Sequence, residues 1–172
     1  MLDNLREDWI TYGRRWDQRG FWVMLVYRFG RWRYGLKPRV LRMPFSFLYR
    51  IFKVISEILT GVELPCETVV GRRFKIEHFG NIIISGDAVF GDDVLVRNGV
   101  TVGLRHTGVR GSPVIGDRVD IGCGAKVLGP IRVGNDVAIG ANAVVITDVP
   151  SHCVAIGVPA RWKRRRMLAS NY

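Results

Sequence analysis

Few side chains in this chain can move a proton near neutral pH. His78, His106 and His152 are its three histidines. A neutral imidazole is suited to take a proton from an attacking hydroxyl at that pH. The three cysteines, Cys66, Cys123 and Cys153, form no C-x-x-C pair. An odd count at such spacing argues against a disulfide framework and against a zinc site. They read as small buried hydrophobes in a reduced compartment, and no metal is expected.

The elements that position these residues are announced by a period of six. Ile115, Ile121, Val127, Val133, Ile139 and Val145 follow one another at six-residue steps, and glycine follows four of them. Leu64, Val70, Ile76 and Ile82 keep the same step; a two-residue shift then moves the phase to Ile84, Phe90, Val96 and Val102. Six is neither the period of a helix nor that of an ordinary strand. One buried β-branched residue in six, with a glycine able to turn the chain, describes short strands joined by tight turns. Three such units close a triangular coil, and stacked coils hydrogen-bond as a parallel β-helix. The period breaks between Val102 and Ile115, a gap of thirteen where twelve would be two units. The segment GLRHTGVRGSP there carries Arg105, His106 and Arg110 and no acid. It reads as a loop pushed out of the coil, where function concentrates.

Residues 1–60 read as helical. Phe45, Leu48, Phe52, Ile55 and Leu59 form an apolar stripe, with Pro44 expected in the first turn and Gly61 at the stop. An earlier segment, Arg19–Tyr34, is apolar with interleaved arginines. Trp9, Trp16, Trp22 and Trp32 lie in this region. Aromatics alternating with arginine suit a membrane interface; they equally suit packing on the fold or on a neighbouring subunit. The opening MLDNLREDWITYGRRW lacks the apolar run of a secretory signal, and no stretch is apolar enough to span a bilayer. The expected organisation is a helical region (1–60), a β-helix (61–162) and a basic tail (163–172).

Formal net charge is +11, from 26 Lys/Arg and 15 Asp/Glu. Residues 1–60 contribute +7, residues 61–160 contribute −1 and residues 161–172 contribute +5. Basic ends can meet phosphate on a nucleotide cofactor or an anionic lipid. No nucleic-acid module accompanies the charge, so nucleic acid is not an expected partner.

The isoleucine-glycine repeats, the extruded loop and the closing GVPARW resemble the hexapeptide-repeat acyltransferases. Within them, IEHFGNIIISGDAVFGDDVLVRNGVTVG resembles the serine acetyltransferase branch. LYRIFKVISEILTGVELP followed by VGRRFKIEH is similar to colanic acid and other exopolysaccharide acetyltransferases of that branch. The resemblance implies a left-handed parallel β-helix preceded by a short helical region, a hand that runs against the usual crossover rule. It implies a cytoplasmic homotrimer with active sites between subunits, with contact at the membrane's inner face through residues 1–60 as an open alternative to packing. Acetyl-CoA is the implied donor and a saccharide, lipid-linked or free, the implied acceptor.

His78, within I-E-H-F-G, matches the family's catalytic histidine. Glu63 falls where serine acetyltransferases place the acid that orients it; at fifteen residues' separation, close to one coil, the two could lie one above the other. Glu77 is the alternative partner, although adjacent strand residues point to opposite faces. Gly103, Gly122, Gly124 and Ala141 match backbone contacts to pantetheine, and Arg161 and Lys163 match the basic end that meets the nucleotide phosphates. One departure concerns the acceptor. Serine acetyltransferases carry a second active-site histidine in the loop, and the aligned segment here is Arg110-Gly111-Ser112-Pro113. Together with a shortened helical region, this points away from L-serine. The γ-class carbonic anhydrases share the coil but need three histidines on zinc, and His152 lies far along the prism from His78. A non-catalytic scaffold is the remaining rival.

Overall fold

The computed structural model describes residues 2–37, 39–106, 108 and 111–165. After Gly61 the chain winds a β-solenoid of about five turns, a left-handed β-helix. Its first face stacks Val62–Glu63, Ile82–Ile84, Thr101–Gly103, Lys126–Leu128 and Val144–Val145. The second face stacks Val69–Val70, Val89–Phe90, Val114–Ile115 and Arg132–Val133. The third stacks Lys75–Glu77, Leu95–Arg97, Asp120–Ile121, Ala138–Ile139 and Cys153–Gly157, closed by the antiparallel strand Ala160–Arg164. That last strand runs across the expected start of the tail at 163. Residues 166–172 lie outside the described residues.

The repeated apolar residues point inward, as their spacing requires. Ile82, Val96, Val100, Val102, Ile121 and Val127 are fully buried. Burying each such side chain is worth about 1.5–3 kcal/mol. Cys66 and Cys153 are buried and Cys123 is half-buried, all as free thiols. The loop is larger than the hexad count suggested. Phe90 pairs with Ile115, twenty-five residues on, where Ile115 pairs with Val133 eighteen on. The step from Val102 to Ile115 is therefore one unit plus seven residues, not two units plus one. Thr107, Val109 and Arg110 lie outside the described residues.

One corner carries a charge ladder. Arg73, Asp93, Arg118, Asp136 and His152 all adopt left-handed turn conformations there. Arg73 bonds Asp93 at 2.6 Å and Arg118 bonds Asp136 at 2.7 Å, while His152 Nδ1 lies 3.6 Å from Asp136.

Three helices, α1 (Leu2–Thr11), α2 (Arg19–Tyr34) and α3 (Arg39–Thr60), close the open end of the first coil. An uncovered coil end leaves a row of unpaired backbone groups. The Tyr27 hydroxyl donates to the Thr68 carbonyl at 2.8 Å, and Arg28 donates to the Gly71 carbonyl at 2.9 Å. The Tyr12 and Tyr49 oxygens accept from the backbone N–H of Ile76 and Cys66 at 2.8 and 3.2 Å. Arg28 is held in turn by the buried Asp8 at 2.9 Å. A Cβ on Gly20 would lie 2.7 Å from the Ile76 carbonyl oxygen, so glycine lets α2 approach the coil.

The helical region thus packs on the β-helix through all three helices, α3 by way of the buried Tyr49. Trp9, Trp16 and Phe21 form one aromatic cluster, with Trp9–Trp16 centroids 4.4 Å apart. α3 is different: Met43, Phe47, Val54, Ile58 and Leu59 stand exposed along it. The helix also starts earlier than expected. Pro44 lies inside α3 rather than in its first turn, forgoing one hydrogen bond near an end whose first N–H groups have no helical partner anyway.

Candidate active site

His78 sits where the two-residue phase shift becomes a bulge. Ile76 pairs with Val96, twenty residues on, whereas Ile84 pairs with Val102, eighteen on. The extra length falls between the third-face strand Lys75–Glu77 and the first-face strand Ile82–Ile84. An ordinary corner such as Asn98-Gly99 needs one left-handed residue; here His78, Gly80 and Asn81 have φ of 62°, 105° and 54°. Histidine in that region is uncommon and holds only where its surroundings fix it. Gly80 rejoins the stack through its carbonyl, which accepts from the Gly99 N–H at 2.9 Å. The imidazole, thrown out of the coil, is exposed.

Glu63 is exposed on the first face, and its register partner in the next coil is Ile83, not His78. The coil step at this end is twenty residues, five more than the separation of Glu63 and His78. Glu63 and His78 are therefore not stacked; they lie around one corner, where Gly61 abuts Gly80. A Cβ on Gly61 would meet the Gly80 Cα at 3.1 Å. No hydrogen bond joins the two side chains among the described residues. Glu77 is engaged elsewhere: Lys75 Nζ donates to it at 2.9 Å and Arg97 lies 3.4 Å away. The Lys75 bond, foremost, holds the Glu77 carboxyl below the ordinary carboxylate value.

The prism edge that bears His78 continues as a column of small residues. Gly99 and Gly124 hold the left-handed corner position in the next two coils, with φ of 73° and 72°. A Cβ on Gly99 would lie 3.2 Å from the Gly124 Cα. A Cβ on Gly122 would lie 2.7 Å from the Ala141 nitrogen, and one on Gly124 would overlap the Asn142 side-chain oxygen. At ordinary strand spacing, three coils put Ala141 roughly 14 Å along the edge from His78. Gly103 ends a first-face strand and is buried. Arg161 and Lys163 lie on the terminal hairpin strand, opposite Ile156 and Val154, and are exposed. Along this edge Gly122 is buried, Gly99 and Gly124 are half-buried and Ala141 is exposed; a side-chain-poor edge with two exposed cations at the far end fits a thin, extended ligand with a phosphorylated terminus.

Ser112 is buried, and its hydroxyl donates to the Ser85 hydroxyl at 3.0 Å. It faces the coil rather than the edge. His106 is exposed in the loop and His152 belongs to the charge ladder, so the three histidines stand apart. Among the described residues no group of acids, histidines and cysteines could hold a metal ion. Two residues on this edge escaped the sequence reading. Lys126 donates to the Gly99 carbonyl; its outward place between Ala125 and Val127 was the available signal. Phe79 lies beneath the Arg19 guanidinium, 4.9 Å from ring centroid to carbon, a contact between distant segments that no local pattern announces.

No protein-family model matches the chain. It is 42% identical over 131 residues to the serine acetyltransferase of Mycobacterium tuberculosis, covering 76% of this chain and 57% of that protein. It is 39% identical over 130 residues to that of Helicobacter pylori strain J99, covering 74% and 75%. It is 36% identical over 171 residues to the putative colanic acid biosynthesis acetyltransferase WcaB of Escherichia coli K12, covering 95% and 98%. The chain thus spans little more than half the first relative and almost all of the last. Among solved structures, serine acetyltransferase from Brucella abortus in complex with coenzyme A superposes with a TM-score of 0.81 at 25% identity, covering 95% of this chain and 68% of that one. From its fold, its edge and these likenesses, the chain belongs to the hexapeptide-repeat acetyltransferases, in the branch of the serine acetyltransferases and WcaB.

Proposed function

We propose that this chain transfers the acetyl group of acetyl-CoA to a hydroxyl of a saccharide in exopolysaccharide assembly. The observation that carries the reaction is the bulge at His78, which puts an exposed imidazole on the glycine-rich edge along which a thin thioester is proposed to lie. The imidazole takes the acceptor's proton as its oxygen attacks the thioester carbonyl. The new C–O bond forms, the C–S bond breaks, and the imidazolium returns its proton to the departing thiolate. Thiols, with a pKa of about 8.5, are good leaving groups. Glu63, at the adjoining corner, is proposed to orient the imidazole when acceptor is bound, a role a carboxylate fills by fixing the tautomer. Gly103, Gly122, Gly124 and Ala141 line the donor's path, and Arg161 and Lys163 meet its phosphates. A homotrimer in the cytoplasm is part of this reading, since flat prism faces pack around a closed axis.

The saccharide is supported by the end-to-end likeness to WcaB and by Ser112, whose inward hydroxyl leaves no proton-transfer group at that position. A second reading, L-serine as acceptor, is favoured by the higher identity to the tuberculosis enzyme. Release of CoA thiol, measured with L-serine against nucleotide sugars and lipid-linked oligosaccharides, separates them. O-acetylserine formation at a rate typical of metabolic enzymes would overturn the saccharide reading. Absence of thiol release with any acceptor would return the chain to a scaffold.

A further inference from the structure

We propose that the groove between α2 and α3 binds the hydrocarbon portion of an anionic amphiphile, whose head meets Arg19 beside His78. The proposal rests on the reading of His78 as the base and names the acceptor class it serves.

The groove encloses about 510 Å³ and is walled by Trp22, Val26, Phe52, Ile55 and Leu59, with Arg19 at one end. Its walls are unusually bare: Trp22, Phe52, Ile55 and Leu59 are 45%, 42%, 47% and 69% exposed. Two contacts tie this groove to the candidate site. Arg19 stacks over Phe79, the residue after His78, at 4.9 Å. Leu59 and Thr60 end α3 beside Gly61, which abuts Gly80 of the same bulge. An apolar chain lying between the helices therefore emerges at the imidazole.

Charge selects the occupant. Residues 18–56 hold nine Arg/Lys and no Asp/Glu. Among the described residues two of these are buried: Arg28 on Asp8, and Arg33 against the Tyr49 ring. Among the described residues Arg19 is exposed and has no carboxylate within salt-bridge distance. Lys53 is paired with Glu57 at 3.4 Å, but a second copy of this chain would bring the same Arg19 and the same cationic excess to the contact. A phosphate head would neutralise them, while its chain would cover the apolar walls.

The test is calorimetric titration of the intact chain with dodecyl phosphate below its micelle concentration, against methyl phosphate, which keeps the head and lacks the chain. Dodecyl phosphate is expected to bind more tightly by at least about tenfold. Ile55→Glu, inside the groove, should lose most of that gain, and Ile58→Glu, exposed on α3 outside it, should keep it. Arg19→Gln should weaken dodecyl phosphate but not uncharged dodecyl maltoside. Equal binding of the two phosphates, or equal loss in Ile55→Glu and Ile58→Glu, would overturn the proposal. So would a smaller oligomer in Ile55→Glu, which would make the groove a contact between copies. His78→Ala should bind dodecyl phosphate normally, so failure of the groove and failure of the catalytic reading give different results.

Discussion

The phenolic oxygen of Tyr12 accepts a hydrogen bond from the backbone N–H of Ile76 at 2.8 Å, two residues before His78. Tyr12 follows α1, sixty-four residues away in sequence, and burial pushes its phenol above the ordinary range. The helical region therefore caps the strand from which the histidine bulge springs. Tyr12→Phe leaves a buried N–H unpaired and is expected to lower stability by about 1–3 kcal/mol. Urea unfolding measures this, and unchanged stability would mean that the cap bears nothing.

His78→Ala should reduce turnover by about a hundredfold or more, the usual scale for a general base. Because the side chain is exposed, the fold and the affinity for acetyl-CoA should persist. Thiol release and circular dichroism on the same sample decide; a folded variant with near-normal turnover removes His78 from the chemistry.

Glu63→Gln should lower kcat and leave the KM for acetyl-CoA nearly unchanged, since the carboxylate acts through the base and touches no donor atom. Glu77 is held by Lys75 and Arg97, so Glu77→Gln should be much milder. The reverse ranking would make Glu77 the partner.

Arg161→Glu with Lys163→Glu should raise the KM for acetyl-CoA and steepen no other parameter, because both side chains stand exposed on the closing hairpin. The defect should shrink as salt screens the phosphates. An unchanged KM at low salt would place the nucleotide elsewhere.

Acid stability should follow the corner ladder. Hydrogen bonds from Arg73 and Arg118 hold the Asp93 and Asp136 carboxyls below their ordinary 3.8. A lowered folded pKa contributes stability that is present above the unfolded value and lost as pH falls through the folded one. Asp8 runs the other way. Burial raises its carboxyl above 3.8, so its contribution is lost as pH rises through the raised value. Thermal melts from about pH 5 to about pH 2 should fall, and fall less steeply for Asp93→Asn with Asp136→Asn. The effect should be modest, since these pairs are half-exposed. An unaltered slope would mean that the ladder is decorative.

Periodicity alone determined the coil, because a solenoid repeats one local rule and every Val or Ile in phase sees the same environment. Arg19–Tyr34 was likewise legible, and the phase shift before Ile84 already held the extra residues of the His78 bulge. Tertiary structure decided what those residues do. It assigned the added length to the His78 corner, set the step of the first coil at twenty, and moved Glu63 from above His78 to beside Ile83. It also made Val102 to Ile115 one unit with a long loop, since hydrogen-bond register between coils is invisible to a count along the chain. Tyr12 on Ile76, Arg28 on Gly71 and Arg19 on Phe79 join segments more than forty residues apart. Such contacts depend on where α1 and α2 dock on the coil end, which no local pattern encodes.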